Sequence, residues 1–274
     1  MTHPTDSQFR ALPLPSRGVD HRYGDRVCLH SFPYPLTLLT RLSSPQTTQP
    51  LFNLLLGDLY RFLIGKVASL ELAQVSVEQP TRMQPINPEG VIRGNVLDPH
   101  QKIIIVDVAR AGIMPSQLFF DGLCTLLDPG AVRQDHVFMN RRTNDKGEVI
   151  GVDMSGSKIG GPVNERLVII PDPMGATGSS MIRTMELYRE RAEGAPTRFV
   201  CVNLIVTPQY IKRLVTEAPD VTIHAVRLDR GLSPQEVLDR APGELWDREN
   251  GLNAEDYIVP GAGGVGELIN NALF

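Results

Sequence analysis

A chain of 274 residues with 42% hydrophobic content can bury a full core and reads as one domain with extensions. Its formal net charge of −4 gives no global positive field for nucleic acid or an anionic membrane, so any anion site has to be local. The three cysteines, Cys28, Cys124 and Cys201, lack C-x-x-C spacing; they support neither a disulfide framework nor a zinc site and predict a reducing cytoplasm.

In chain order, residues 1–26 are rich in Pro, Arg, Asp and His without periodicity, which predicts a flexible arm over 1–28 ahead of a folded domain over 29–274. The first residues lack the apolar stretch of a signal peptide, and no apolar run approaches the roughly 18 residues of a membrane span. Between Pro50 and Leu72 the apolar residues fall on a broad helical face. Residues 74–101, with several Pro, Gly and Asn, predict short strands or a hood over the core. Residues 102–109 are a buried strand ending at Arg110, followed by a helix over 113–127. Further strands are expected at 135–139, 168–170, 198–206 and 221–226, with helices near 177–192 and 208–217. This alternation predicts an α/β fold, a parallel sheet flanked by helices, with ligands at the carboxyl ends of the strands.

The strand at 168–170 stops at Pro171-Asp172-Pro173, and Met174, Gly175, Ala176, Thr177, Gly178, Ser179 and Ser180 follow into a helix. Free N–H groups at a helix start, small residues and three hydroxyls suit a phosphate monoester, while the Asp172 carboxylate suits sugar hydroxyls or a cation. An ordinary strand-to-helix turn with capping serines is the alternative. Neither the Walker spacing nor G-x-G-x-x-G is present. Arg110-Ala-Gly112, directly after a strand, suits bidentate binding of a diphosphate, or equally an arginine paired with a carboxylate at the sheet edge. Arg141-Arg142 precedes a polar, glycine-rich stretch to Gly161 that reads as a lid over a charged leaving group or as a solvated hairpin. Near the end, Tyr257-Ile258 leads into Gly261, Gly263, Gly264, Val265 and Gly266, where exposed main chain can read the edge of a flat base.

Arg-Ala-Gly after a strand, Asp-Pro-Met-x-Ala-Thr-Gly-x-Ser at 172–180 and Tyr-Ile-Val-Pro-Gly at 257–261 resemble, in that order, the uracil phosphoribosyltransferase family, from near residue 29 to the end. The resemblance implies a type I phosphoribosyltransferase fold with a C-terminal base-binding hood. It implies catalytic roles for Asp172, Arg110 and Arg141, diphosphate contacts from the two arginines, and a ribose-5-phosphate cradle from Asp172 through Ser180. Ile258 and the main chain at Gly263, Gly264 and Val265 would hold uracil. It further implies Mg2+ carried mainly through the diphosphate, a homo-oligomer, small-molecule substrates, and no nucleic-acid or membrane partner.

The chain departs from the family pattern at four places. The acid of the family's Pro-Gly-Leu-Gly-Asp is replaced by Gly264, with Glu267 standing for the second acid; Leu-Ala-Thr-Gly-Gly becomes Gly175-Ala-Thr-Gly-Ser179. The lid lacks the family's Glu-Glu-Thr, and a charged insertion, 233–250, is expected near the base-binding hood. The expected activity is transfer of phosphoribose from 5-phosphoribosyl 1-diphosphate to uracil. The alternatives are a catalytically impaired nucleotide sensor or transfer to another base.

Overall fold

A computed structural model describes residues 16, 18–143 and 149–272, and of these the side chains outside 140–154. The elements are β1 (Val27–Leu29), α1 (Pro33–Leu42), α2 (Leu51–Glu71), β2 (Gln74–Pro80), β3 (Val91–Leu97), β4 (Ile103–Ala109), α3 (Ile113–Cys124), β5 (Val132–Thr143), β6 (Val149–Lys158), β7 (Leu167–Pro171), β8 (Met174–Gly175), α4 (Ser179–Arg191), β9 (Arg198–Val206), α5 (Pro208–Glu217), β10 (Val221–Leu228), α6 (Gln235–Leu238) and α7 (Val265–Asn270).

The main sheet runs β1-β10-β9-β7-β4-β5-β6, with β8 extending the pairing along β9. Every pairing is parallel except that of β6 with β5. Strands β4 and β7 are buried on both faces, which is why they read as apolar runs, interrupted in β4 only by the buried Asp107. Ile103, Ile105 and Ile169 pack toward α1, α2 and α3, and Ile104, Val106, Val168 and Ile170 toward α4 and α5. The parallel sheet flanked by helices expected from the alternation is therefore the architecture observed.

One segment differs from expectation, and two open alternatives are decided. Residues 18–28, placed in the flexible arm, are built into the fold. Strand β1 pairs with β10, Tyr23 is buried, and its hydroxyl donates to Glu249 in the insertion, a partner that local sequence does not reveal. Of the two alternatives for 74–101, short strands are what is found: among the described residues β2 and β3 pair only with each other, and Met83, Ile86, Ile92 and Val96 stay exposed. For the stretch after Arg141, the antiparallel pairing of β5 with β6, with Arg141 opposite Val152, favours the hairpin of the two alternatives. Ile150, Val152 and Met154 alternate with Gly151, Asp153 and Ser155, a two-residue period that the glycines obscure.

A buried polar chain joins β1 to α2. His30 Nε2 lies 3.0 Å from His224 Nδ1, His224 Nε2 lies 2.9 Å from Glu71 Oε1, and Arg198 pairs with Glu71 at 2.7 Å. Burial, then the neighbouring His224 and Lys66, lowers the His30 pKa from 6.5 to about 3. Because the folded state holds this ring neutral, the unfolded chain binds more protons below pH 6.5. Stability is then lost as pH falls from 6.5 toward 3, at no more than about 1.4 kcal/mol per pH unit from this group. Urea midpoints should therefore fall less steeply over that range in His30→Gln than in the parent; parallel slopes would remove His30 as the cause.

Candidate active site

The chain leaves β4 for α3 on one face of the sheet and leaves the adjacent β7 for α4 on the other, so a crevice opens between their carboxyl ends. A cleft of about 580 Å³ occupies it. Arg110, the loop from Asp172 to Ser180, and the C-terminal tail meet there although they are distant in sequence. Arg110, Asp172, Met174, Ala176, Thr177, Gly178, Ser179, Ser180, Ile258, Gly263, Gly264 and Val265 all line the cleft. Pro173 and Gly175 lie behind its wall instead. The Pro173 carbonyl accepts from Leu204 N and Ile205 N, at 2.9 and 3.1 Å, and the Gly175 carbonyl from Thr207 N at 3.1 Å, so these two residues anchor the loop to β9. Arg141 is in β5; its side chain lies outside the described residues.

The cradle is shaped by its glycines and braced by α5. Gly178 adopts φ +81°, and a Cβ there would meet Leu214 Cδ1 at 2.7 Å. The first i to i−4 bond of α4 runs from Ile182 N to Gly178 O at 3.0 Å, so the N–H groups of the first turn precede the helical ladder. A Cβ at Gly175 would meet Val206 at 2.9 Å and the Tyr210 ring at 3.0 Å: the ring fills the space that a leucine at this position would need. Tyr210 Oη donates to Asn203 Oδ1 at 3.0 Å, and Asn203 Nδ2 donates to the Asp172 carbonyl at 2.7 Å. Thr207 Oγ1 donates to the Ala176 carbonyl at 2.7 Å. Asp172 is held at the strand end by its own N–H to Val202 O, 3.0 Å, and its Oδ1 accepts from Met174 N at 3.3 Å.

The groups beneath the cradle stay protonated. Burial, aided by Asp172 and opposed by a hydrogen bond with Tyr210, pushes the Cys201 thiol up to about 12, and burial raises Tyr60 and Tyr210 well above the usual phenol value. They form a neutral floor and supply no base at neutral pH.

Across the cleft, Arg110 Nη2 pairs with Glu267 Oε1 of α7 at 3.0 Å. The tail is fixed from below: Asp229, buried, accepts from Arg227 at 2.6 and 2.8 Å and from Gly261 N at 2.7 Å. Gln49 Nε2 and Asn53 Nδ2 donate to the α7 carbonyls of Leu268 and Ile269, at 2.8 and 3.2 Å. Asp256, at φ 62°, lines the cleft just before Tyr257 and Ile258. A side-chain residue in the left-handed region at a cleft wall is a functional signal that linear motifs do not carry. With Glu267 it brings carboxylates to the side where Gly264 supplies none. Tyr210, Phe138 and Met139 also line the cleft without a sequence signal.

The insertion 233–250 contributes nothing to the cleft lining. Arg230 and Glu249 pair at 2.8 Å under it, Trp246 Nε1 donates to Pro208 O at 3.1 Å, and Lys212 of α5 pairs with Asp247 at 2.5 Å. It braces Tyr23 and α5 on the outer side of the tail, which corrects the expectation that it lies at the base-binding hood.

A family profile described as uracil phosphoribosyltransferase matches residues 32–251, well over half of the chain. A uracil phosphoribosyltransferase of Pyrococcus furiosus is 26% identical over 242 residues, covering 88% of this chain and 96% of the relative. One from Pyrobaculum islandicum is 31% identical over 187 residues, covering 68% and 82%. The solved structure of the AQ2163 protein from Aquifex aeolicus shares the fold, with a TM-score of 0.65 at 20% identity over 90% of this chain and 100% of that one. The chain, whose Arg110 and 172–180 loop line one cleft at the switch point of the sheet, belongs to the uracil phosphoribosyltransferase family and is a phosphoribosyltransferase.

Proposed function

We propose that the protein converts uracil and 5-phosphoribosyl 1-diphosphate to UMP and diphosphate. The observation that carries this reading is the meeting of Arg110, the 172–180 cradle and the 256–267 tail in a single cleft. The 5-phosphate sits against the α4 N-terminus and the hydroxyls of Thr177, Ser179 and Ser180, which offer donors and no negative charge. Asp172 accepts from the ribose hydroxyls. Arg110, joined by Arg141 from β5, takes the diphosphate, and the main chain at Ile258, Gly263, Gly264 and Val265 reads the uracil edge.

Uracil N1 forms a bond to the anomeric carbon from the face opposite the diphosphate. The C–O bond breaks with its electron pair going to the diphosphate, and the N1 proton is released. Positive charge develops on the ribose ring and negative charge on the leaving group, so positioning and electrostatics supply the catalysis.

Among the described residues no three His, Cys, Asp or Glu groups cluster to hold a metal. Separate carboxylates at Asp172, Asp256 and Glu267 beside a diphosphate position fit Mg2+ that enters on its substrate. Bound there, Mg2+ would neutralise charge on the diphosphate.

The exposed apolar side chains of the β2–β3 hairpin, Ile86, Ile92 and Val96, support a homo-oligomer. Light scattering should give at least twice the 30.2 kDa chain mass, falling to one chain when these three become Ser; a parent of single-chain mass would refute this assembly. The cysteines, none in a disulfide, support a cytoplasmic location, and among the described residues no helix is long and apolar enough to cross a membrane.

Asp256 favours a second reading, transfer to a base with an amino donor, because a carboxylate only accepts hydrogen bonds. Steady-state kinetics across uracil, cytosine and purine bases tests both, with uracil expected to have the highest kcat/KM.

A further inference from the structure

Helix α5 carries a cation against the back of the cradle. Arg213 Nη1 donates to Ser179 Oγ at 2.7 Å and reaches the Thr177 carbonyl at 3.5 Å, while its Nε is held by Glu217 Oε1 at 3.1 Å. Its Cδ would lie 3.4 Å from a Cβ at Gly178, so the side chain is packed along the loop. Ser179 Oγ is in turn 3.0 Å from Thr177 Oγ1, which also accepts from Ser179 N at 3.4 Å.

A guanidinium has only donors, so Ser179 Oγ accepts from Arg213. The two hydroxyls share one hydrogen bond, and whichever donates in it, the other keeps its proton for the cleft that both line. Arg213 itself is not at the cleft surface; it acts through the two hydroxyls and through its charge.

We propose that Arg213 is a positioning residue that directs the remaining proton of the Thr177–Ser179 hydroxyl pair toward the 5-phosphate, polarising the pair and favouring a dianionic phosphate monoester. This rests on the proposed transfer reaction, since it assigns that cradle to the 5-phosphate. The phosphate is remote from the bond that breaks, so loss of Arg213 weakens binding of substrate and transition state together and raises KM more than it lowers kcat.

The test is calorimetric binding of ribose 5-phosphate and of inorganic diphosphate to the full chain, with steady-state kinetics alongside. In Arg213→Ala, ribose 5-phosphate should bind roughly tenfold more weakly, as expected for losing a charge-assisted hydrogen bond, while diphosphate binding holds. Arg213→Lys should recover part of the loss, and Thr177→Val should cost much less in the Arg213→Ala background than in the parent, as members of one relay do. If Arg213→Ala lowers Tm appreciably, Arg213→Met, which keeps the side-chain stem without a donor or a charge, carries the same comparison.

Unchanged ribose 5-phosphate binding in these variants, or an equal loss for diphosphate, would overturn the role of Arg213. A parent protein that binds neither ribose 5-phosphate nor UMP would instead overturn the assignment of the cradle.

Discussion

Asp172→Asn should lower turnover by about 10²- to 10³-fold while leaving thermal stability nearly unchanged. The carboxylate sits at the end of β7, where the main chain is already held by Val202 O and by Asn203 Nδ2, and its Oδ1 accepts from Met174 N at 3.3 Å. An amide oxygen can keep that bond. What the amide loses is a full negative charge at the edge of the cleft, beside the ribose ring that becomes positive as the diphosphate departs. The effect should therefore fall on kcat, because the interaction strengthens in the transition state. Paired kinetics and thermal melts check this. A fall in Tm that parallels the fall in rate would make Asp172 a structural residue.

Arg110→Ala should weaken diphosphate binding by about 100-fold, and kcat should fall with it, since the guanidinium faces the group on which negative charge accumulates. Its pair with Glu267 is solvated, the Arg110 side chain being 55% exposed, so loss of the pair should cost less than about 1 kcal/mol of stability. Diphosphate must take the place of Glu267 on Arg110, which makes the pair a competitor of the ligand and not a support of the fold. Arg110→Lys should restore little, because an ammonium lacks the planar fork that meets two phosphate oxygens. Calorimetry with inorganic diphosphate measures this directly; a lysine variant that binds like the parent would show that charge alone suffices.

Much of this cleft was legible in the chain. Strands β4 and β7 are almost wholly apolar because they are buried on both faces, Asp107 being the exception, and each ends abruptly in polar or small residues at the carboxyl edge. That combination marked Arg110 and Asp172 and predicted the sheet that sets them side by side. Main-chain sites need glycine, and the glycines at 263, 264 and 266 pointed to the tail for the same reason.

Less legible were features that depend on contacts across the chain. Tyr23 is buried because Glu249 and Trp246 cover it, so 18–28 read as an arm. Strand β6 contains Gly151 and Gly156, which hid its alternation behind a loop-like composition. Helix α5 was recognisable, but that Tyr210, Thr207 and Arg213 brace the cradle follows only from where the helix packs. The changes from leucine to Gly175 and from glycine to Ser179 looked like mild departures in one dimension. In three dimensions each has a partner on α5, the Tyr210 ring for the first and the Arg213 guanidinium for the second. The missing acid at Gly264 likewise reads differently once Asp256 and Glu267 are seen on the same wall.

The most direct test of the account is product analysis after incubating the purified full chain with labelled uracil, 5-phosphoribosyl 1-diphosphate and Mg2+. UMP and diphosphate should form in equal amounts over many turnovers, with uracil preferred to cytosine and to purine bases. Nucleotide formed from another base in preference to uracil, or no nucleotide from any base, would contradict it.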